Sequence, residues 1–174
     1  MNRAQLEHAI RASGAISGDR ELYVVGSQAI LGSFPNAAAD LLFSMEVDIA
    51  PKDHPELEAV IEGAIGELSP FHQTFGFYVD GVDLASLVLP FGWQDRLVVV
   101  ETPQTNGYRG LCLSPGDIAA SKLAAGREKD LDFVRAMLRD RLVTFDELDE
   151  RAAGLAPEQV ESVRRLLVVL RRDR

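Results

Sequence analysis

The chain has 174 residues, 47% of them apolar and 26% charged, with a net charge of −9. That length holds one domain, or one domain with a helical extension, and the apolar content excludes intrinsic disorder. A single cysteine, Cys112, excludes an internal disulfide, and no run of about eighteen apolar residues offers a membrane span.

The charge is unevenly placed. Residues 121–174 carry 12 of the 18 Lys and Arg and 11 of the 27 acids, which leaves 6 bases against 16 acids in residues 1–120. Phosphate-binding capacity is therefore concentrated in the last third, and the acidic front suits a divalent cation. The start of the chain carries Glu7 early and lacks the apolar stretch of a secretory signal, so a cytoplasmic protein is expected.

In chain order, Leu6, Ala9 and Ile10 predict a short amphipathic helix over 5–12, ending near Gly14. Glu21 to Val25 reads as a buried strand, and Gln28 to Gly32 as a helix whose first turn carries Ser27. Ser44 to Ala50 alternates polar with apolar and stops at Pro51, as a strand does. Pro55 to Leu68 returns to helical spacing.

Three strands are predicted next, over 75–79, 83–89 and 96–101, separated by Asp80-Gly81 and by Pro90-Phe91-Gly92. A short strand is expected at 110–113, and its Leu111-Cys112-Leu113 context predicts a buried structural thiol. Ser114-Pro115-Gly116-Asp117 then supplies an N-cap, a proline for the first turn and an acid near the positive end of a helix dipole. Helices follow over 117–138, 144–154 and 157–172. The predicted architecture is α/β (α+β), a mixed sheet flanked by helices with a C-terminal helical extension. Residues 1–113 form the α/β core and 114–174 a helical region packed on it.

One constellation carries chemistry: a strand, then Gly26-Ser27 opening a helix, then a strand bearing Glu46-Val47-Asp48 about twenty residues on. Gly26 lets backbone approach a ligand with no Cβ in the way. Ser27 offers a hydroxyl and free amides where a helix dipole favours phosphate. Residues i and i+2 of a strand share a face, so Glu46 and Asp48 project together. Two adjacent carboxylates repel unless a cation lies between them, and such oxygen ligands suit Mg²⁺.

Val24-Val25-Gly26-Ser27-Gln28-Ala29-Ile30 followed by Ser44-Met45-Glu46-Val47-Asp48-Ile49 resembles the first two motifs of the nucleotidyltransferase (polymerase-beta-like) superfamily. The stretch from Asp117 to Asp130 further resembles the lysine and Arg-x-Lys-Asp motifs of AbiEii-like abortive-infection toxins, here Lys122 and Arg127-Glu128-Lys129-Asp130. The resemblance implies that Gly26 and Ser27 hold nucleotide phosphates and that Glu46 and Asp48 bind Mg²⁺. Lys122 would contact the triphosphate, with Lys129 on the same stripe of a continuous helix, and Asp130 would be a further polar or catalytic residue. The implied reaction moves a nucleoside monophosphate from a nucleoside triphosphate to an acceptor hydroxyl. For a toxin-like protein that acceptor would be RNA, with tRNA the expected kind, and a cognate antitoxin would be the protein partner.

Two departures stand against that pattern. The first carboxylate is Glu46, where the superfamily usually has Asp. The third carboxylate has two candidates, Asp80 and Asp83, which flank a turn-like Gly81 where a loop role is the plainer reading; Asp130 is a further source of a base. The other function class these departures admit is a catalytically silent module of the same fold that binds nucleotide or a partner protein. His8, His54 and His72 have no metal-ligand spacing, and Trp93 reads as a packing anchor. Arg164-Arg165 and Arg171-Arg172 share their helix with Glu158 and Glu161, as an ordinary mixed-charge face does.

Overall fold

In the computed structural model, which describes residues 1–172, five short segments rich in β-branched and other apolar residues build a five-stranded mixed sheet. The elements are α1 (Arg3–Ser17), β1 (Glu21–Val25), α2 (Ile30–Ser33), β2 (Glu46–Pro51), α3 (Glu58–Ile65), α4 (Pro70–Phe75) and β3 (Tyr78–Gly81). After them come β4 (Val98–Val100), β5 (Arg109–Cys112), α5 (Pro115–Ala125), α6 (Glu128–Arg139), α7 (Phe145–Ala153) and α8 (Pro157–Arg172).

The strand order is β3-β2-β1-β5-β4. β1 runs antiparallel to β2 and parallel to β5, while β2 and β3 are parallel. β1 thus lies at the centre, with Leu22, Val24 and Val25 buried. A single apolar cluster extends from Leu6 on α1 through Val47 and Ile49 on β2 to Leu167 and Leu170 on α8. The mixed sheet flanked by helices, with its helical C-terminal extension, is the architecture the sequence predicts. Among the described residues no helix is long and apolar enough to cross a membrane.

Several local expectations are corrected. The first helix runs on to Ser17, because Gly14 is an interior position where a Cβ would meet the Tyr108 ring at 2.3 Å, and the helix ends at left-handed Gly18. The expected helix after Ser27 is a 3₁₀ turn, Ser27–Ala29, followed by the four residues of α2, too short to gather much of a dipole. The expected 55–68 helix divides into a 3₁₀ turn and α3, which stops at Ile65; α4 follows beyond it, and the strand placed at 75–79 begins only at Tyr78, after left-handed Gly76 closes α4.

The strand predicted over 83–89 is absent: Asp83 caps a 3₁₀ turn, Leu84–Ser86, by accepting a hydrogen bond from the Ala85 amide. The 117–138 helix is two helices. Gly126, at φ +66°, ends α5 in the left-handed conformation and donates its N–H to the Lys122 carbonyl. α6 then restarts at Glu128, so no continuous stripe carries Lys122, Gly126 and Lys129.

Candidate functional site

β2 alternates over residues 46–49. Val47 and Ile49 are fully buried on one face, which leaves Glu46 and Asp48 half-buried on the other. β3 lies beside it in parallel register, Glu46 opposite Tyr78 and Asp48 opposite Asp80. The pairing brings one carboxylate oxygen from each of Glu46, Asp48 and Asp80 within 4.8 Å of one another. Asp80 therefore stands in a strand, not in the turn predicted for it. Asp83 spends its carboxylate on the capping hydrogen bond, in keeping with the loop reading. The signal for Asp80 was present as the alternation Tyr78-Val79-Asp80, with Val79 fully buried, but Gly81 drew the reading toward a turn.

Gly26 follows β1 directly, at φ +66° and ψ −161°, a region in effect reserved for glycine. A Cβ there would fall 1.8 Å from Asp48 Oδ2. The glycine thus makes room for a carboxylate of the protein itself. Ser27 lines the same cavity, and Gln28 behind it is fully buried, its Nε2 3.4 Å from the Leu41 carbonyl and its Oε1 without a partner.

The electrostatics of the carboxylates follow from burial and crowding. Burial first, then the charges of Glu46 and Asp80, push Asp48 up to about 7, while Lys122 pulls the other way. Asp80 is raised by burial and by Glu46, with Glu62 and Glu67 adding to it. The Tyr78 hydroxyl donates to Glu46 Oε2 at 3.1 Å, and burial together with Glu46 pushes its pKa up to about 12.

The break at Gly126 folds α6 back so that Asp130, 1% exposed, receives two cations. Lys122 Nζ lies 2.9 Å from Oδ1 and Arg127 Nε 2.6 Å from Oδ2. Burial opposes ionisation of Asp130, yet these hydrogen bonds hold its carboxyl below the usual range. Lys122 also sits 4.8 Å from the centre of the Phe133 ring. Gly26, Ser27, Glu46, Asp48, Asp80, Lys122, Arg127, Lys129 and Asp130 all line one cavity of about 760 Å³, a volume in the range of small-ligand sites. Lys129 stands exposed on its wall, and highly exposed Phe43 forms part of the rim.

The remaining polar residues have structural work. Cys112 is buried, and burial pushes its thiol up to about 12. His8 is edge-on to Phe71, Phe75 and Phe77, and Trp93 packs edge-on against Tyr23. On α8, Arg165 pairs with Glu161, and Arg171 pairs with Asp149 and lies over Phe145.

Compared with known families, residues 5–167 match a family described as nucleotidyltransferase of unknown function (DUF6036). Neither the curated proteins nor the solved structures contain a match to this chain.

Proposed function

The chain belongs to this family of nucleotidyltransferases, and on that premise we propose that it transfers a nucleoside monophosphate from a nucleoside triphosphate to an acceptor hydroxyl with the help of Mg²⁺. The observation that carries the reading is the convergence of Glu46, Asp48 and Asp80 on the wall of a nucleotide-sized cavity. Their donor set fits the ion: hard oxygen ligands, half-buried, mutually repelling, and with no ion-pair partner among the described residues. Glu46, Asp48 and Asp80 would hold Mg²⁺, which when bound neutralises charge on the phosphates.

The chain's own residues supply the rest. Lys122 faces the triphosphate as a fixed cation, oriented by Asp130 and by the Phe133 ring. Ser27 presents its hydroxyl to the phosphates, and Lys129 adds an exposed charge where pyrophosphate departs. The acceptor oxygen bonds to the α-phosphorus, the bridging bond to the β-phosphate breaks, and the hydroxyl proton passes to solvent through the carboxylate cluster. Asp130, with both oxygens engaged by cations, is assigned to positioning Lys122 and not to accepting that proton. An RNA acceptor and a cognate antitoxin rest on the Lys122 and Arg127–Asp130 stretch alone, so RNA is one arm of the test.

Purified protein with Mg²⁺, each labelled nucleoside triphosphate and, separately, total RNA, a protein extract or a small-metabolite extract should transfer label to one acceptor class. D48A should abolish the transfer. Nucleotide binding with no incorporation into any of the three would establish the silent module in its place.

A further inference from the structure

We propose that Tyr78 is a positioning residue that fixes the orientation of the Glu46 carboxylate, an inference that rests on the metal-site reading above. Glu46 is the member of the carboxylate set with an extra methylene, and hence an extra rotatable bond between backbone and ligand oxygen. Left free, that bond would spread the carboxylate over several rotamers, and a cation would have to order it on binding. The structure supplies a restraint at that point. The parallel register sets Tyr78 directly opposite Glu46, and its hydroxyl donates to Oε2 at 3.1 Å. One oxygen is tied down, and the plane of the carboxylate is defined before any ligand arrives.

Tyr78 is itself held. Its ring lies 4.8 Å from the His72 ring at a tilt of 50°. His72 Nδ1 accepts a hydrogen bond from the Leu68 amide at 3.1 Å, which fixes the imidazole. Leu68 sits at φ +62°, a left-handed conformation that a branched side chain rarely adopts, and its side chain is 77% exposed. Side-chain packing therefore gives no reason for the unusual backbone, whereas delivery of the amide to His72 does. A line of contacts thus runs from the α3–α4 turn through His72 and Tyr78 to Glu46.

Y78F keeps the ring against His72 and removes only the donor. Hydrogen-bond partners of metal ligands typically contribute about tenfold or more to metal affinity. Mn²⁺ affinity measured by calorimetry should therefore fall by about that factor in Y78F, with the metal-free melting temperature held within about 2 °C, less than the shift from 1 kcal/mol. In an E46D background the shorter side chain does not reach the hydroxyl, and Y78F should change affinity by less than about twofold, far below the tenfold typical of such a partner. Wild-type protein that binds no Mn²⁺ would sink the metal-site reading and this inference with it. Wild-type binding with Y78F unchanged would overturn the role of Tyr78 alone. So would an equal loss in the E46D background, which would show that the residue acts through packing.

Discussion

Two corners of the same cavity treat buried acids in opposite ways. At the α5–α6 corner the acid is matched: Asp130 is almost fully buried and carries a lysine on one oxygen and an arginine on the other. On the β2–β3 side, three carboxylates crowd together with no ion-pair partner among the described residues. The consequence is a depressed pKa at Asp130 and raised ones at Asp48 and Asp80. Nor is the chain short of means to match an acid. Fully buried Asp117 accepts from Arg96 Nη2 and Nε, at 2.7 and 3.0 Å, and from the Ser114 hydroxyl at 2.6 Å. The matched acids are balanced within the fold, whereas the unmatched ones would be balanced by the cation proposed for the site.

The sharpest way to break the unmatched side is G26A. The substitution combines a backbone region closed to alanine, worth about 1–3 kcal/mol of strain, with a Cβ 1.8 Å from Asp48 Oδ2. The carboxylate must swing away, so Mn²⁺ affinity should drop by at least about tenfold, the loss typical when a metal ligand's surroundings are disturbed. Calorimetry and a thermal melt check both parts, and an unchanged affinity would place Asp48 outside the metal site. On the matched side, D130A leaves Lys122, whose side chain is 16% exposed, without its carboxylate, while Arg127 at 63% returns to solvent. Discounting the arginine for screening, the cost is about 2–3 kcal/mol, which lowers the melting temperature by roughly 4–12 °C in a chain of this size. Mn²⁺ affinity should survive D130A. Its loss without a change in melting temperature would move Asp130 into the metal site.

The difference between the corners was only half legible in the sequence. Period-two alternation exposed Glu46 and Asp48 because it is local and strict, and it fixes which face the acids take. Asp80 was visible only as a candidate, since its partnership with Asp48 is a register between strands some thirty residues apart, and Gly81 imitates a turn. Lys122 and Asp130 were named, but their meeting depends on a helix break. The apolar period continues across Gly126, and only the left-handed backbone there turns α6 toward α5. The missing 83–89 strand is also a local matter: that apolar-rich run reads as a strand, but the Asp83 side chain claims a local amide first. Tyr78 gave no signal of its own, because its significance is a cross-strand contact.

The smallest effect separates the corners by pH in the metal-free protein. Asp48 has a folded pKa of about 7, well above its unfolded value near 4. Between those values the folded state keeps a proton that the unfolded state has released. Stability therefore falls as pH rises from about 4 to about 7, and stays reduced above. Glu46 and Asp80 face Asp48 and deepen the loss, and Lys122 opposes it. Asp130 runs the other way. Its depressed pKa gives stability that is fully present above the unfolded value and is lost only as pH falls through the folded one, so it is flat in this window. From pH 5 to pH 7.5 the wild-type melting temperature should thus fall further than that of D48N by at least about 2–4 °C, the shift that 1 kcal/mol gives a chain of this size. Mg²⁺ added at pH 7.5 should recover the difference in wild type and not in D48N, because a cation takes the place of the retained proton. Parallel slopes with and without Asp48 would mean that its charge is already balanced inside the fold, and the contrast between the two corners would not hold.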